Sequence, residues 1–246
     1  MSRQIAYPVP WDLVFGLTPH IANHTRRDVD DFTRAIVARM QPPPLYESLH
    51  HLPADPRFLL VANHYQRQGL WILHSAAAIT QAIGRQYGPA DPPLRWLVTA
   101  NWPAWKIGPL RMRSPGDIFL PKVAHALWCY PVSFAGSNPA FTARSLRAVL
   151  RDARTLTRPI GLFPEGVAGS AGRLTDPLPG VERLIAQLAK QAMPAVPTAI
   201  GERDGRLVVR FSEPVPPEEL LAAPDSARLC MARIAAIYPE VVEPGH

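Results

Sequence analysis

Two short polar motifs, each placed directly after an apolar run, are the residues of this sequence best suited to chemistry. Asn63-His64 follows the continuous apolar run 58–62, and Glu165 lies in the motif 163–166, Phe-Pro-Glu-Gly, after a second apolar run. A neutral histidine can remove a proton from a hydroxyl and so make it a nucleophile. A carboxylate beside it can position the attacking group or support the histidine. The two motifs therefore indicate general-base chemistry on a hydroxyl.

Buried strands and amphipathic helices are predicted to position these motifs. Strands are predicted at 58–62, 95–100, 130–134, 160–163, 196–200 and 207–211, and helices at 27–40, from 70 onwards, and at 141–158, 181–191 and 227–237. This alternation predicts an α/β fold with a mostly parallel central sheet and helices on both faces. Open α/β folds usually place their sites in loops at the carboxyl ends of strands, and both motifs occupy such loops.

The start of the chain is predicted to be an appended helical arm, residues 1–44, in front of one main domain, residues 45–246. The arm contains an amphipathic helix at 27–40, which the following prolines end. Before that helix the hydrophobic residues show no clear periodicity, and Pro8 and Pro10 favour an extended start.

Length and composition suit a folded domain without a membrane span. The chain has 246 residues, 47% of them hydrophobic and 19% charged. The longest helix-like apolar stretch, 70–83, is interrupted by polar residues and is shorter than the 20 or so apolar residues that a bilayer span needs. The first eleven residues lack the layout of a secretory signal. We therefore expect a cytoplasmic protein, peripheral at the inner face of the membrane.

Positive charge is concentrated in the middle of the chain. Residues 85–158 hold eleven Lys or Arg against three acids, a local charge of +8 within an overall +6, and 23 of the 26 cationic residues are arginine. Five of them form an arginine stripe on one face of the predicted helix 141–158: Arg144, Arg147, Arg151, Arg154 and Arg158. The stripe is either a solvated face or a surface for anionic lipid headgroups or for the phosphates of a substrate. The arginine excess itself could reflect a genome-wide preference. No nucleic-acid partner is expected.

Taken together, the motifs resemble those of the lysophosphatidic acid and glycerol-phosphate acyltransferase family over residues 45–216. That family carries the pattern N-H-x-x-x-x-D and later F-P-E-G-T-R-S, which Asn63-His64 and the motif 163–166 match in order and separation. Weaker matches lie at Gly172 and Leu174, Gly180, Val196-Pro197 and 211–215. Several motif matches in the family's order along the chain are more specific evidence for the resemblance than any one match alone.

The resemblance implies an O-acyltransferase that moves a fatty acyl group from acyl-CoA or acyl carrier protein to the hydroxyl of a lipid or lipid-like acceptor. It implies His64 as the general base, with Glu165 positioning the acceptor or supporting the histidine, and Gly166 allowing a substrate to approach the backbone closely. The residues expected to bind substrate are Asn63, Phe163, Pro164, Gly166, Arg144 and Arg173. No metal or redox cofactor is implied. An anionic membrane surface is the expected location of the lipid acceptor.

The sequence departs from the family pattern at the catalytic aspartate, which Gly69 replaces. In the family this carboxylate orients the imidazole, and the analogous change in a serine protease costs about 10⁴ in rate. Gln68, Glu165 or a backbone carbonyl could orient His64 instead. If the family geometry survives, Gly69→Asp is expected to raise both the pKa of His64 and the rate.

Two arginines of the family pattern are also missing. Val167-Ala168-Gly169 stands in place of Thr-Arg-Ser, and the block at 130–134 lacks its arginine. Each charge-assisted hydrogen bond to phosphate contributes roughly 1.5–3 kcal/mol. The acceptor is therefore expected to differ from a simple glycerol phosphate, unless Arg173 or the arginine stripe substitutes.

Three alternatives stand beside this interpretation. A degenerate family member could bind lipid or acyl thioester without turnover. Ser170 lies in a segment that mimics a nucleophile elbow, although the first glycine is absent. His20 and His24 have helical metal-ligand spacing without an evident third ligand.

Overall fold

A single seven-stranded sheet organises the chain in the computed structural model, which describes residues 7–100, 105–107, 110–112, 116–133, 138–167 and 173–242. The strands are β1 (Leu45–Glu47), β2 (Leu59–Ala62), β3 (Arg95–Thr99), β4 (Trp105–Ile107), β5 (Leu110–Met112), β6 (Tyr130–Val132), β7 (Ile160–Leu162), β8 (Ala195–Arg203) and β9 (Arg206–Phe211). The sheet order is β1-β9-β8-β2-β7-β3-β6. Within it β8 and β9 pair antiparallel and the other neighbours pair parallel, whereas β4 and β5 form a separate hairpin.

Helices cover both faces of this sheet. They are α1 (Trp11–Phe15), α2 (Thr18–Ala22), α3 (Val29–Val37), α4 (Ile72–Tyr87), α5 (Gly116–Ala126), α6 (Pro139–Asp152), α7 (Val181–Ala189), α8 (Pro217–Ala222) and α9 (Ser226–Ile237). The predicted α/β fold, with a mostly parallel sheet, helices on both faces and a helical N-terminal region, is confirmed.

Strand β2 shows why its sequence is continuously apolar. Leu60 and Ala62 face a core built with α3 and α4, whereas Leu59 and Val61 face a second core built with α6, α7 and α9. Successive side chains of a strand point to opposite faces, so a strand covered on both sides has no polar position. All four residues are at most 1% exposed.

The arginine-rich helix α6 is shorter than predicted. It ends at Asp152, and the next residues turn, with the amides of Thr155 and Leu156 both donating to the Asp152 carbonyl. The β-branched Thr155 and Thr157, followed by Pro159, disfavour further helical turns. The prediction of a helix up to residue 158 was therefore wrong at its C-terminal end.

Two short helices that the sequence did not predict, α1 and α2, lie within residues 11–22. Proline promotes helix beginnings as readily as extended chain: Pro10 is the N-cap of α1, and Pro19 lies in the first turn of α2. Further along, α3 belongs to the core, with Phe32 and Ile36 at most 2% exposed. A boundary at residue 44 stays a prediction.

None of the helices in the described part of the chain is long and apolar enough to cross a bilayer.

Candidate active site

The fold brings His64 and Glu165 into direct contact. Strand β2 lies between β7 and β8, and its parallel pairing with β7 places Leu60 opposite Gly161. His64 follows β2 and Glu165 follows β7, so both lie at the carboxyl edge of the sheet. The backbone amide of His64 donates to Oε2 of Glu165 over 2.5 Å.

Glu165 joins three segments of the chain. Its Oε1 accepts from the backbone amide of Thr175 at 2.6 Å and from the Thr175 hydroxyl at 3.1 Å, while Oε2 is bonded to His64. The side chain is 2% exposed. Burial raises the pKa of Glu165, and the three donated hydrogen bonds act in the opposite direction. The carboxylate therefore holds the loop after β2 and the segment around Thr175 together.

Asn63 has both of its side-chain polar atoms engaged with β8. Its Nδ2 donates to the carbonyl of Ile200 at 3.0 Å, and its Oδ1 accepts from the amide of Ile200 at 2.7 Å. The residue is 2% exposed. What the structure shows for Asn63 is anchorage of the chain beside His64, and the predicted contact with substrate stays a prediction.

The imidazole of His64 is held by packing and not by a hydrogen bond at Nδ1. It meets the Phe163 ring edge to face, with centroids 5.5 Å apart and planes at 66°. Its Nδ1 is buried and has no hydrogen-bond partner among the residues that the structure describes. Neither Gln68 nor Glu165, both considered above, takes the position of the missing aspartate. Burial lowers the pKa of His64, which favours the neutral imidazole that a general base requires.

Gly69 lies in a tight turn that reverses the chain after His64. The amide of Arg67 donates to the carbonyl of Leu70 at 3.1 Å, and the amide of Leu70 donates to the carbonyl of Arg67 at 3.0 Å. Gly69 has φ of +81°, the left-handed region that favours glycine, and its carbonyl accepts from the amide of Tyr7 at 2.8 Å. Gly69 therefore serves the turn.

A second cluster ties the same loop to β8. The hydroxyl of Tyr65 donates to Glu202 at 2.9 Å, and Arg67 forms an ion pair with the same carboxylate. Arg67 and Glu202 are only 15% and 12% exposed, so this pair is shielded from solvent. The loop carrying His64 is thus fixed on both sides of the histidine.

The motif 163–166 forms a turn that packs against Leu178. The amide of Gly166 donates to the Phe163 carbonyl, and the amide of Leu178 donates to the Pro164 carbonyl at 2.8 Å. Gly166 has φ of +67°, and a Cβ there would lie 2.3 Å from Cδ1 of Leu178. The close approach that requires this glycine is made by Leu178, whereas a substrate contact at Phe163, Pro164 or Gly166 stays a prediction.

The two arginines expected to bind substrate lie on the surface. Arg144 is exposed on α6, and Arg173 is exposed two residues before Thr175. Within the described ranges neither forms a hydrogen bond or ion pair with His64 or Glu165. Residues 168–172, which include Ser170 and the match at Gly172, lie outside the described residues. His20 of the histidine pair bonds to Thr25 through its ring, and the described residues hold no group of three potential metal ligands.

Sequence reasoning missed three contributors to this site: Thr175, Glu202 and Trp96. Thr175 holds Glu165, Glu202 holds the loop after His64, and Trp96 stacks on Phe163 with centroids 4.6 Å apart. Trp96 could have been found, because it is the one large aromatic side chain of the predicted strand 95–100. Thr175 and Glu202 give no such signal, since Thr175 lies in a segment without regular structure and the partners of Glu202 are distant in sequence.

Comparison with known proteins supports the architecture. No family model matches the chain, and no curated protein matches it. Among solved structures, the 1-acyl-sn-glycerophosphate (LPA) acyltransferase PlsC from Thermotoga maritima is similar, with a TM-score of 0.57 at 15% sequence identity. The similarity covers 91% of this chain and 90% of that chain. The chain therefore shares the fold of an LPA acyltransferase over nearly its whole length.

Proposed function

We propose that this protein is an O-acyltransferase in which His64 is the general base. The observation that carries the proposal is the contact between His64 and Glu165 at the carboxyl edge of the sheet, with a partly buried imidazole whose pKa is lowered by desolvation. The fold shared with an LPA acyltransferase and the match to both family motifs support the same reaction class.

In the proposed reaction the neutral imidazole removes the proton from the acceptor hydroxyl. The oxygen attacks the thioester carbonyl, the carbon–sulfur bond breaks, and the departing thiolate takes the proton from the imidazolium. Glu165 keeps the backbone of His64 in place by accepting the hydrogen bond from its amide. No metal ion takes part in these steps.

The proposed donor is acyl-CoA or acyl carrier protein, and the proposed acceptor is a lipid or lipid-like alcohol. Arg173 is proposed to contact an anionic group of either substrate, and its support is its position two residues before Thr175, which is bonded to Glu165. The absence of the family's two arginines supports an acceptor other than a simple glycerol phosphate. Arg144 is proposed to contact an anionic group as part of the arginine stripe, either a lipid headgroup or a phosphate of the donor.

The proposed location is the inner face of the membrane. An aromatic surface patch supports it, formed by Trp11, Phe15 and Trp71, which are 52%, 66% and 38% exposed. The ring centroid of Trp11 lies 6.0 Å from that of Phe15 and 5.4 Å from that of Trp71. Exposed tryptophan and phenylalanine suit the boundary between headgroups and acyl chains. Trp71 is the N-cap of α4, two residues after Gly69, so one member of the patch lies on the chain segment that leads away from the site.

Incubation with a labelled acyl-CoA and a total lipid extract tests the reaction directly. The parent protein is expected to produce one labelled lipid, and His64→Ala is expected to produce none while keeping its fold. His50→Ala is the matched control, because His50 is exposed and its ring packs on His51. Unchanged turnover in His64→Ala would end the proposed mechanism.

A second candidate function is binding of lipid or acyl thioester without turnover. The buried Nδ1 of His64, which lacks a partner in the described part of the chain, and the glycine in place of aspartate favour it. The same incubation distinguishes the two functions, because a binding protein retains the labelled donor on gel filtration and releases no labelled product.

A further inference from the structure

The ring of His64 needs an orienting contact other than a hydrogen bond at Nδ1. In related catalytic sites a carboxylate holds the imidazole in one tautomer and one orientation. Here Nδ1 is buried without a partner in the described residues, so the contacts of the ring's faces and edges decide where it points. The aromatic neighbour recorded for this ring is Phe163, in an edge-to-face arrangement that aromatic rings favour.

Phe163 is itself fixed by Trp96. The two rings are stacked with centroids 4.6 Å apart and planes within 2° of parallel. Trp96 lies on β3 directly opposite Gly161 of β7 and is 5% exposed. We call Trp96 and Phe163 the aromatic stack.

Two features hold Trp96 in this position. Its indole Nε1 donates to the hydroxyl of Thr80 on α4 at 3.0 Å, and that hydroxyl donates to the Ala76 carbonyl at 2.8 Å. Gly161 provides the space for the indole, because a Cβ at residue 161 would lie 2.6 Å from Cε3 of Trp96. The indole is therefore held by a hydrogen bond to Thr80 and fits against the backbone of Gly161, where any larger residue would displace it.

We infer that Trp96 is a positioning residue for His64, which acts through Phe163 to hold the imidazole where the absent carboxylate would otherwise hold it. This inference rests on the proposed role of His64 as the base. Packing can restrict the ring without placing a negative charge beside it. The orientation of the imidazole is thus set by side-chain packing, which runs from Trp96 on β3 through Phe163 after β7 to His64 after β2.

Replacing Trp96 separates orientation from substrate binding. Trp96→Leu is expected to lower kcat about two- to tenfold, the range that one aromatic contact supplies, with the KM for the acyl donor unchanged. Trp96→Phe keeps a ring for the stack and is expected to restore most of the rate. Phe58→Leu is the matched control, because Phe58 is fully buried in the same core but packs on Tyr87.

A readout that needs no turnover keeps this test independent of the proposed function. In protein with labelled histidines, the His64 ring signal is identified by its loss in His64→Ala. Trp96→Leu is expected to shift that signal, since a displaced Phe163 changes the ring current at His64, whereas Phe58→Leu is expected to leave it in place. A parent protein without turnover would overturn the proposed function, and this shift would still test the positioning role.

Three results would overturn the inference. One is a Trp96→Leu protein that folds and keeps both kcat and the His64 signal. Another is a reduced kcat with an unmoved signal, and the third is an equal shift in Phe58→Leu. Should Trp96→Leu not fold, Thr80→Val removes the hydroxyl that holds the indole and is expected to move the His64 signal in the same direction by less. An unmoved signal in that variant would also overturn the inference.

Discussion

Glu165 accepts a hydrogen bond from the backbone amide of His64, 101 positions earlier in the chain, and not from its ring. The carboxylate of the second motif therefore fixes the main chain of the proposed base and leaves the imidazole to be oriented by packing. The motif glutamate thus acts on the backbone of His64, whereas no carboxylate in the described part of the chain bonds to Nδ1 of its ring.

Glu165→Gln is expected to destabilise the protein by about 1–3 kcal/mol, because an amide can accept at only one of the two positions where Glu165 accepts. One buried backbone amide, of His64 or of Thr175, would then face the NH₂ group. Urea unfolding measures the change. Glu182→Gln is the control, since Glu182 accepts from the amide of Gly180 at the exposed start of α7, and a smaller loss is expected there. Equal losses would contradict the buried arrangement.

The rate of acyl transfer is expected to rise with pH through a midpoint below the ordinary histidine pKa and to level off above it. The sign follows from the neutral imidazole being the base, and the low midpoint follows from burial, which lowers the pKa of His64. The profile of kcat/KM against pH measures this midpoint. A midpoint above the ordinary value would mean that a charged partner reaches the imidazole.

Gly69→Asp is expected to cost roughly 1 kcal/mol of stability, because φ at this position is +81° and only glycine adopts it freely. Gly69→Asn is the matched variant with nearly the same backbone cost and no charge. If the new carboxylate reaches Nδ1, the Asp variant should exceed the Asn variant in rate and its acid limb should move to higher pH. Identical profiles for the two variants would show that the turn directs residue 69 away from the imidazole.

Replacing Trp11 and Phe15 with serine is expected to weaken binding to both neutral and anionic liposomes. The exposed rings lose their apolar contact with the interface, an effect that does not depend on lipid charge. Liposome sedimentation at two salt concentrations measures it. Leu221→Ser is the control, because Leu221 is 45% exposed on α8, outside the aromatic surface patch. Equal binding by the parent and the double variant would remove the patch from the proposed membrane surface.

Changing Arg144, Arg147 and Arg151 to glutamine is expected to weaken binding to anionic liposomes only. Near an anionic surface each such residue contributes about 1 kcal/mol, an effect that salt screens. All three are exposed on α6, although Arg151 also pairs with Asp152. Binding like that of the parent would mean that the arginine stripe is a solvated face. A raised KM for acyl-CoA with unchanged liposome binding would assign the stripe to the donor's phosphates.

The core of the fold follows from the sequence because its strands and helices have clear periods. The run 58–62 is apolar at every position, as a strand buried on both faces must be, and the carboxyl-edge loops after it and after 160–163 carry the two motifs. The α1–α2 region is different, because five-residue helices are too short to show a period. Prolines there are equally compatible with extended chain.

The contacts that shape the site depend on pairing between distant strands, which the sequence does not reveal. Trp96 reaches Phe163 because β3 and β7 are neighbours in the register that sets Trp96 opposite Gly161. Thr175 reaches Glu165 from a segment without regular structure. Neither neighbour relation leaves a periodic trace, so the sequence marks Trp96 only as the large aromatic residue of its strand and gives no sign of Thr175.

The central position of β2 has a consequence for synthesis on the ribosome. Leu59 pairs with Ile160 on one side and with Ala195 on the other, so β2 emerges long before either of its partners. At translation speeds of about 5–20 residues per second, the wait is on the order of ten seconds. During that interval a fully apolar segment is exposed, and it can associate with other nascent chains. We expect yields of this protein to respond strongly to growth temperature and to chaperone supply, and a chain truncated before β8 to be insoluble.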